Sequence, residues 1–154
     1  MTEIIIILIL ILINGLFSMA EIALVSARKA RLEGQAIKGD PEAKRALALA
    51  NHPEIFLSTV QIGITLIGVL TGIYSGDSFK QPLQEWLQQF IILQPYSSSI
   101  ATTFIVIVLT YLSMVLGELV PKRIGLSSPE KIAKAAAGPM RIISWITFPF
   151  TWLL

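Results

Sequence analysis

Apolar residues run almost unbroken through three stretches of the chain, and polar residues gather between them. These runs are Ile4 to Val25, Ile55 to Tyr74 and Ile100 to Val120. As helices rising 1.5 Å per residue, each covers about 30 Å, the thickness of a bilayer's hydrocarbon core. The pattern predicts an all-α integral membrane domain with three transmembrane helices at about 4–25, 55–74 and 100–120. The polar intervals predict shorter helices. "ARKARLEGQAIKG" ends at Gly39, and "DPEAKRALALA" restarts with Asp40 as N-cap and Pro41 at the first helical position. Together they form a juxtamembrane pair at about 28–51. His52, just before Pro53, reads as surface or capping decoration.

Between the second and third runs, Phe79, Leu83, Trp86, Leu87 and Phe90 recur at helical spacing. They predict an amphipathic helix on the outer interface. The tail, at about 128–154, reads in two parts. Ser128, Pro129 and Glu130 open a short helix that Gly138 and Pro139 close. "MRIISWITFPFTWLL" is too short to span comfortably, so it is expected to lie at the interface or insert partly, a fourth span being the lesser alternative. Its apolar ending suggests a piece of a longer protein.

Charge adds orientation. Of 154 residues, 54% are hydrophobic and 14% charged, well outside the balance of soluble domains. Arg28, Lys29, Arg31, Lys38, Lys44 and Arg45 fill the first connection, and Lys122, Arg123, Lys131 and Lys134 follow the third run, whereas Lys80 alone stands between runs two and three. Positive residues favour the cytoplasmic side, so the N-terminus is expected outside and the C-terminus inside the cell's inner (plasma) membrane. The basic residues that follow the first run, and the lack of any before it, argue against a cleaved signal peptide. With no cysteine and one histidine, thiolate and multi-histidine metal sites are excluded.

Each run carries one stripe of oxygen-bearing or small residues. Asn14, Ser18 and Glu21 share a face of the first run, and Ser58, Gln61, Thr65, Gly68 and Gly72 share one of the second. In the third, Thr110, Ser113, Gly117 and Pro121 align, with Glu118 about 100° around. Ser18, Glu21, Ser58, Gln61, Gly117 and Glu118 all fall within about 10 Å of the helix ends expected to face the cytoplasm. Small and hydroxyl residues also serve plain helix packing, and Gly68–Gly72 is a GxxxG pair. The glutamates ask more, because an ionisable group at membrane depth is costly and usually functional. Their alternative reading is that they snorkel outward and pair with Arg28, Lys122 or Arg123. Proline 121 has no N–H for the carbonyl four residues earlier, that of Gly117. A freed carbonyl, two carboxylates, hydroxyls and an amide make an all-oxygen set suited to a hard cation such as Mg²⁺, Na⁺ or Ca²⁺.

"GLFSMAEIALVSARKARLE", "TVQIGITLIG" and "VLGELVPKRIGL" resemble the signature stretches of the transmembrane domain shared by CorC-type bacterial proteins and cyclin M (CNNM) metal transporters. The resemblance covers essentially the whole chain. It implies a homodimer with a cytoplasmic helical belt that carries out Na⁺-coupled Mg²⁺ export from an inward-facing cavity of side-chain and backbone oxygens. Carried over by motif, the metal-site residues are Ser18 and Glu21 in the first helix, where animal relatives have Asn in place of Glu21. Thr59 to Gly63 match the second motif, and Gly117, Glu118 and Pro121 the third. Cytoplasmic CBS domains, which follow in full-length relatives, are not in this chain.

The expected cation site therefore comprises Ser18, Glu21, Gly117 and Glu118, with Ser58, Thr59 and Gln61 as its second wall and Gly63 and Pro121 shaping the helices. Mg²⁺ is the expected cargo, Na⁺ the coupling ion, and lipid and a second copy the partners, with no nucleic acid. An alternative is a membrane-anchored Mg²⁺ sensor that moves nothing. An enzyme is not expected: HExxH and GxSxG are absent, and no nucleophile–base pairing stands out.

Overall fold

In the computed structural model, which describes residues 2–75, 79–90 and 93–151, the first apolar run is a single helix, α1 (Thr2–Ser26). The basic connection folds into α2 (Lys29–Ile37) and α3 (Pro41–Asn51). Gly39 takes a positive φ of 95°, a turn that glycine makes without strain, and one carboxylate oxygen of Asp40 then accepts the N–H groups of Glu42 and Ala43 at 2.9 and 3.1 Å. His52 caps the end of α3 through its backbone N–H. The second run is α4 (Pro53–Ser75), and α5 (Lys80–Gln88) follows it.

The third run is one long helical stretch from Gln94 to Ser127 with a change of pitch inside it. A 3-10 turn (Gln94–Tyr96) leads into α6 (Ser97–Met114), a π turn occupies Val115–Leu119, and α7 (Val120–Ser127) completes it. Three helical stretches are long and apolar enough to cross a membrane: α1, the one beginning with α4, and this one. The described residues are helices and connections with no strand, so the all-α membrane architecture expected from the pattern is what forms. Parts of the expected outer connection (76–78 and 91–92) and of the tail (152–154) lie outside the described residues.

The tail corrects one expectation. Instead of closing at Gly138–Pro139, helix α8 (Pro129–Thr151) continues through both Pro139 and Pro149. Ala133, Ala137 and Met140 form a buried face against α1, α3 and α4, which carries the helix on through the weak point. The bond lost at Pro139 is the one from its missing N–H to the carbonyl of Ala135, and both of these residues are exposed, where the loss costs least. Lys134 reaches Asp40 at 2.9 Å, and Arg31 reaches Glu130 at 3.5 Å, so α8 is tied to the α2–α3 pair by charge as well as by packing.

Close packing, more than burial from water, holds helices together in lipid, and here glycines set the spacing. A side chain at Gly125 would put its Cβ 2.5 Å from Ile22 and 2.8 Å from the Met19 carbonyl. At Gly15 it would meet Pro121 at 2.8 Å, and at Gly63 the Phe17 ring at 2.5 Å. Helix α1 is thus the hub: α4 lies on one side of it, and the π turn and α7 on the other. Between α4 and α6 the helices separate, and a cavity opens there.

Candidate cation site

The site grows from the pitch change in the third helix. In an α-helix the Pro121 nitrogen would face the Gly117 carbonyl, but it has no proton to give. The chain answers with a π turn, in which the Val120 N–H reaches back five residues to the Val115 carbonyl. The Gly117 carbonyl, left over, accepts a hydrogen bond from Nδ2 of Asn14 across the α1 contact, at 3.1 Å. Gly117 is buried, and a Cβ there would sit 3.0 Å from that same amide nitrogen, so a larger residue would crowd Asn14 in this approach. The carbonyl that Pro121 cannot engage is thus bonded by a side chain of the first helix.

One turn further on, charge converges. The Lys122 ammonium lies 2.7 Å from Oε1 of Glu118 and 3.8 Å from Oε2 of Glu21. Two carboxylates from two different membrane helices therefore share a single cation, supplied by the chain. The side chains of Glu21 and Lys122 are only 28% and 33% exposed, while Glu118 is half exposed at 51%. This is the pairing that snorkelling of the glutamates predicted for Lys122, and the short contact is the i,i+4 one within the third helix. Ser18, one turn before Glu21 on α1, is almost completely buried.

Glu118 also borders the cavity between α4 and α6, about 660 Å³ in volume. Asn14, Ser113, Thr110 and Thr102 line it along one side, and Thr71, Gly72, Ser75 and Lys80 close the far part. From Thr102 to Glu118 the helical rise is about 24 Å, so the cavity is an elongated cleft. Asn14, Gly72, Thr110 and Ser113 were all on the predicted polar stripes, and the fold gathers them here.

The second wall is arranged differently from the first. Thr59 is fully buried, and its hydroxyl lies 2.8 Å from the Ile55 carbonyl and 2.8 Å from the Ser144 hydroxyl, with Thr147 donating to it at 3.3 Å. It faces α8. Ser58 is half-buried and Gln61 exposed, and among the described residues neither hydrogen-bonds to Glu21 or Glu118. Gly63 carries the Phe17 ring, so it shapes the α1–α4 contact. Asn14 and Lys122 are the two residues at the centre of the geometry that sequence reasoning left out of the site. Asn14 was on the stripe, and Lys122 was legible as the i+4 partner of Glu118. Among the described residues no three Asp, Glu, His or Cys side chains come together. A hard cation would therefore complete its shell with hydroxyl, amide or carbonyl oxygens and water.

The comparisons with known proteins agree with one another. Residues 5–154 match the cyclin M transmembrane N-terminal domain family. A UPF0053 protein of Synechocystis (sll0260) is 49% identical over 152 residues, covering 99% of this chain and 34% of the relative. The polyamine export protein of Escherichia coli K12 is 30% identical over 152 residues, with the same coverage of both chains. That of Salmonella typhimurium is 32% identical over 153 residues, covering 99% of this chain and 34% of the relative. The chain thus spans about a third of the length of the curated relatives it matches. It belongs to the cyclin M transmembrane domain family.

Proposed function

We propose that this chain is the membrane part of a cation exporter, with Mg²⁺ as cargo and the Na⁺ gradient as driving force. One observation carries the reading: Glu21 and Glu118, on two different spans, converge on a single positive charge. Carboxylates at membrane depth are costly unless they face a pathway or a partner. Both share a partner in Lys122, and Glu118 also borders the elongated cleft. Ser18 and the Gly117 carbonyl complete the core of the site, and Ser58 and Gln61 stand as its second wall, whereas the Thr59 hydroxyl is held against α8. The chemistry of this donor set fits Mg²⁺, which binds through one or two carboxylates and keeps several waters. In the proposed orientation the N-terminus is outside and α2, α3 and the start of α8 are cytoplasmic. A second copy and CBS domains would complete the full-length protein.

A second reading is supported by a specific feature. The group already held between the carboxylates is a primary ammonium, the same group that ends a polyamine, and relatives of 30% and 32% identity are named polyamine export proteins. An elongated cleft with hydroxyls along it suits a linear polycation. The discriminating experiment is flux from liposomes holding the purified protein, measured with an Mg²⁺-sensitive dye and with labelled spermidine, with and without a Na⁺ gradient. Mg²⁺ movement that requires Na⁺ supports the first reading. Spermidine movement alone supports the second, and saturable Mg²⁺ binding without movement of either makes the chain a sensor.

A further inference from the structure

We infer that Lys122 is a built-in counter-cation, which holds the Glu21–Glu118 pair when cargo is absent and is displaced when cargo enters. The inference rests on the reading of that pair as the cargo carboxylates. Its starting point is placement. Lys122 follows Pro121 directly and lies one turn beyond Glu118, so its ammonium falls between the carboxylate of its own helix and that of α1, at 2.7 and 3.8 Å. Without it, two like charges from neighbouring helices would face each other with no compensation. With it, the site carries one net negative charge and stays closed by an ion pair.

A divalent cation and the ammonium compete for the same oxygens. If both stayed, the site would turn net positive; if the cation replaces the ammonium, it is neutral. The lysine stem is long and flexible, so the ammonium can withdraw to the aqueous end of the helix without any backbone movement. A third of the Lys122 side chain is already exposed, which leaves that route open. Two properties follow from the competition. Cargo binds more weakly than it would to the bare carboxylates, which lets it leave again, as transport requires. A monovalent ion must displace the same ammonium with half the charge, so Lys122 also discriminates against Na⁺ and K⁺ at this position.

The test uses the purified protein in nanodiscs, as wild type, Lys122→Met, Lys122→Arg, Glu21→Gln and Glu118→Gln. Calorimetric titration with Mg²⁺ is expected to show binding about tenfold tighter in Lys122→Met and near the wild-type value in Lys122→Arg. In the wild type, acylation of Lys122 by an amine-reactive ester, followed by peptide mass spectrometry, is expected to rise several-fold with Mg²⁺ while that of Lys29 stays level. The labelling needs no variant to fold, and a purely structural lysine would not respond. Equal or weaker Mg²⁺ binding in a well-folded Lys122→Met, or Lys122 labelling unaffected by Mg²⁺, overturns the inference. Mg²⁺ binding that persists in both glutamate variants overturns the underlying site reading instead, and a wild type that binds no Mg²⁺ overturns both.

Discussion

Thr59, Ser144 and Thr147 close on one another between α4 and α8, whereas Glu21 and Glu118 close on Lys122 between α1 and the third helix. Both clusters put polar side chains inside apolar helices. In the first, every hydroxyl proton has an acceptor within the cluster or on a neighbouring backbone carbonyl, so the groups hold one another and no formal charge is involved. In the second, charge is balanced by one flexible side chain beside a cleft of about 660 Å³. Polar residues of similar depth thus divide into a structural clasp and a candidate ion site, and it is the partners, more than the residue types, that separate them.

The largest effect should come from the ion site. Glu118→Gln keeps the shape and removes the charge, and cation flux from liposomes is expected to fall about a hundredfold or more while helix content by circular dichroism stays the same. Next comes the contact that fixes the geometry. Gly125→Val drives a side chain into Ile22 and the Met19 backbone, so thermal unfolding in detergent should show a loss of about 1–3 kcal/mol. The clasp should respond less. Thr59→Val removes its hydrogen bonds to Ser144 and the Ile55 carbonyl for about 1 kcal/mol, lowering the melting temperature while leaving most of the flux. Flux lost at Thr59 to the same degree as at Glu118 would erase the distinction between the clusters and put Thr59 in the ion site.

The smallest effect lies outside the membrane helices. The Lys134 ammonium, together with the Ala43 and Glu42 N–H groups, holds the Asp40 carboxyl below the usual aspartate range. A carboxyl lowered on folding contributes its stability above the unfolded aspartate pKa and loses it as pH falls through the lowered folded value. Acidification through that window should therefore loosen the α3–α8 tie, and Asp40→Asn should flatten the dependence. Melting temperature followed from neutral pH into that acid range reads both.

How much of this was legible follows from which physics each element obeys. The spans were legible because length and apolarity alone decide them, and the α2–α3 turn because Asp40 and Pro41 act on their nearest neighbours. The polar stripes were legible from helical spacing, and the freed Gly117 carbonyl from Pro121. What the freed carbonyl bonds to was not, since the Asn14 partner depends on how closely α1 approaches. Continuation of α8 through Pro139 was hidden for the same reason: local propensity says stop, and the buried face of Ala133, Ala137 and Met140 overrules it. Thr59 sits in the sequence beside Ser58 and Gln61, yet α8 claims its hydroxyl. Each of these outcomes is decided by a distant helix, on which a local pattern is silent.

The central claim is that Glu21 and Glu118 serve one cation together. A double-mutant cycle on flux tests it most directly, with Glu21→Gln, Glu118→Gln and the pair measured in the same liposomes. Groups that act as a unit are strongly non-additive, so either single change is predicted to lower the rate nearly as far as the pair does. Losses that simply multiply, or a Glu21→Gln variant that transports like the wild type, would contradict a shared site.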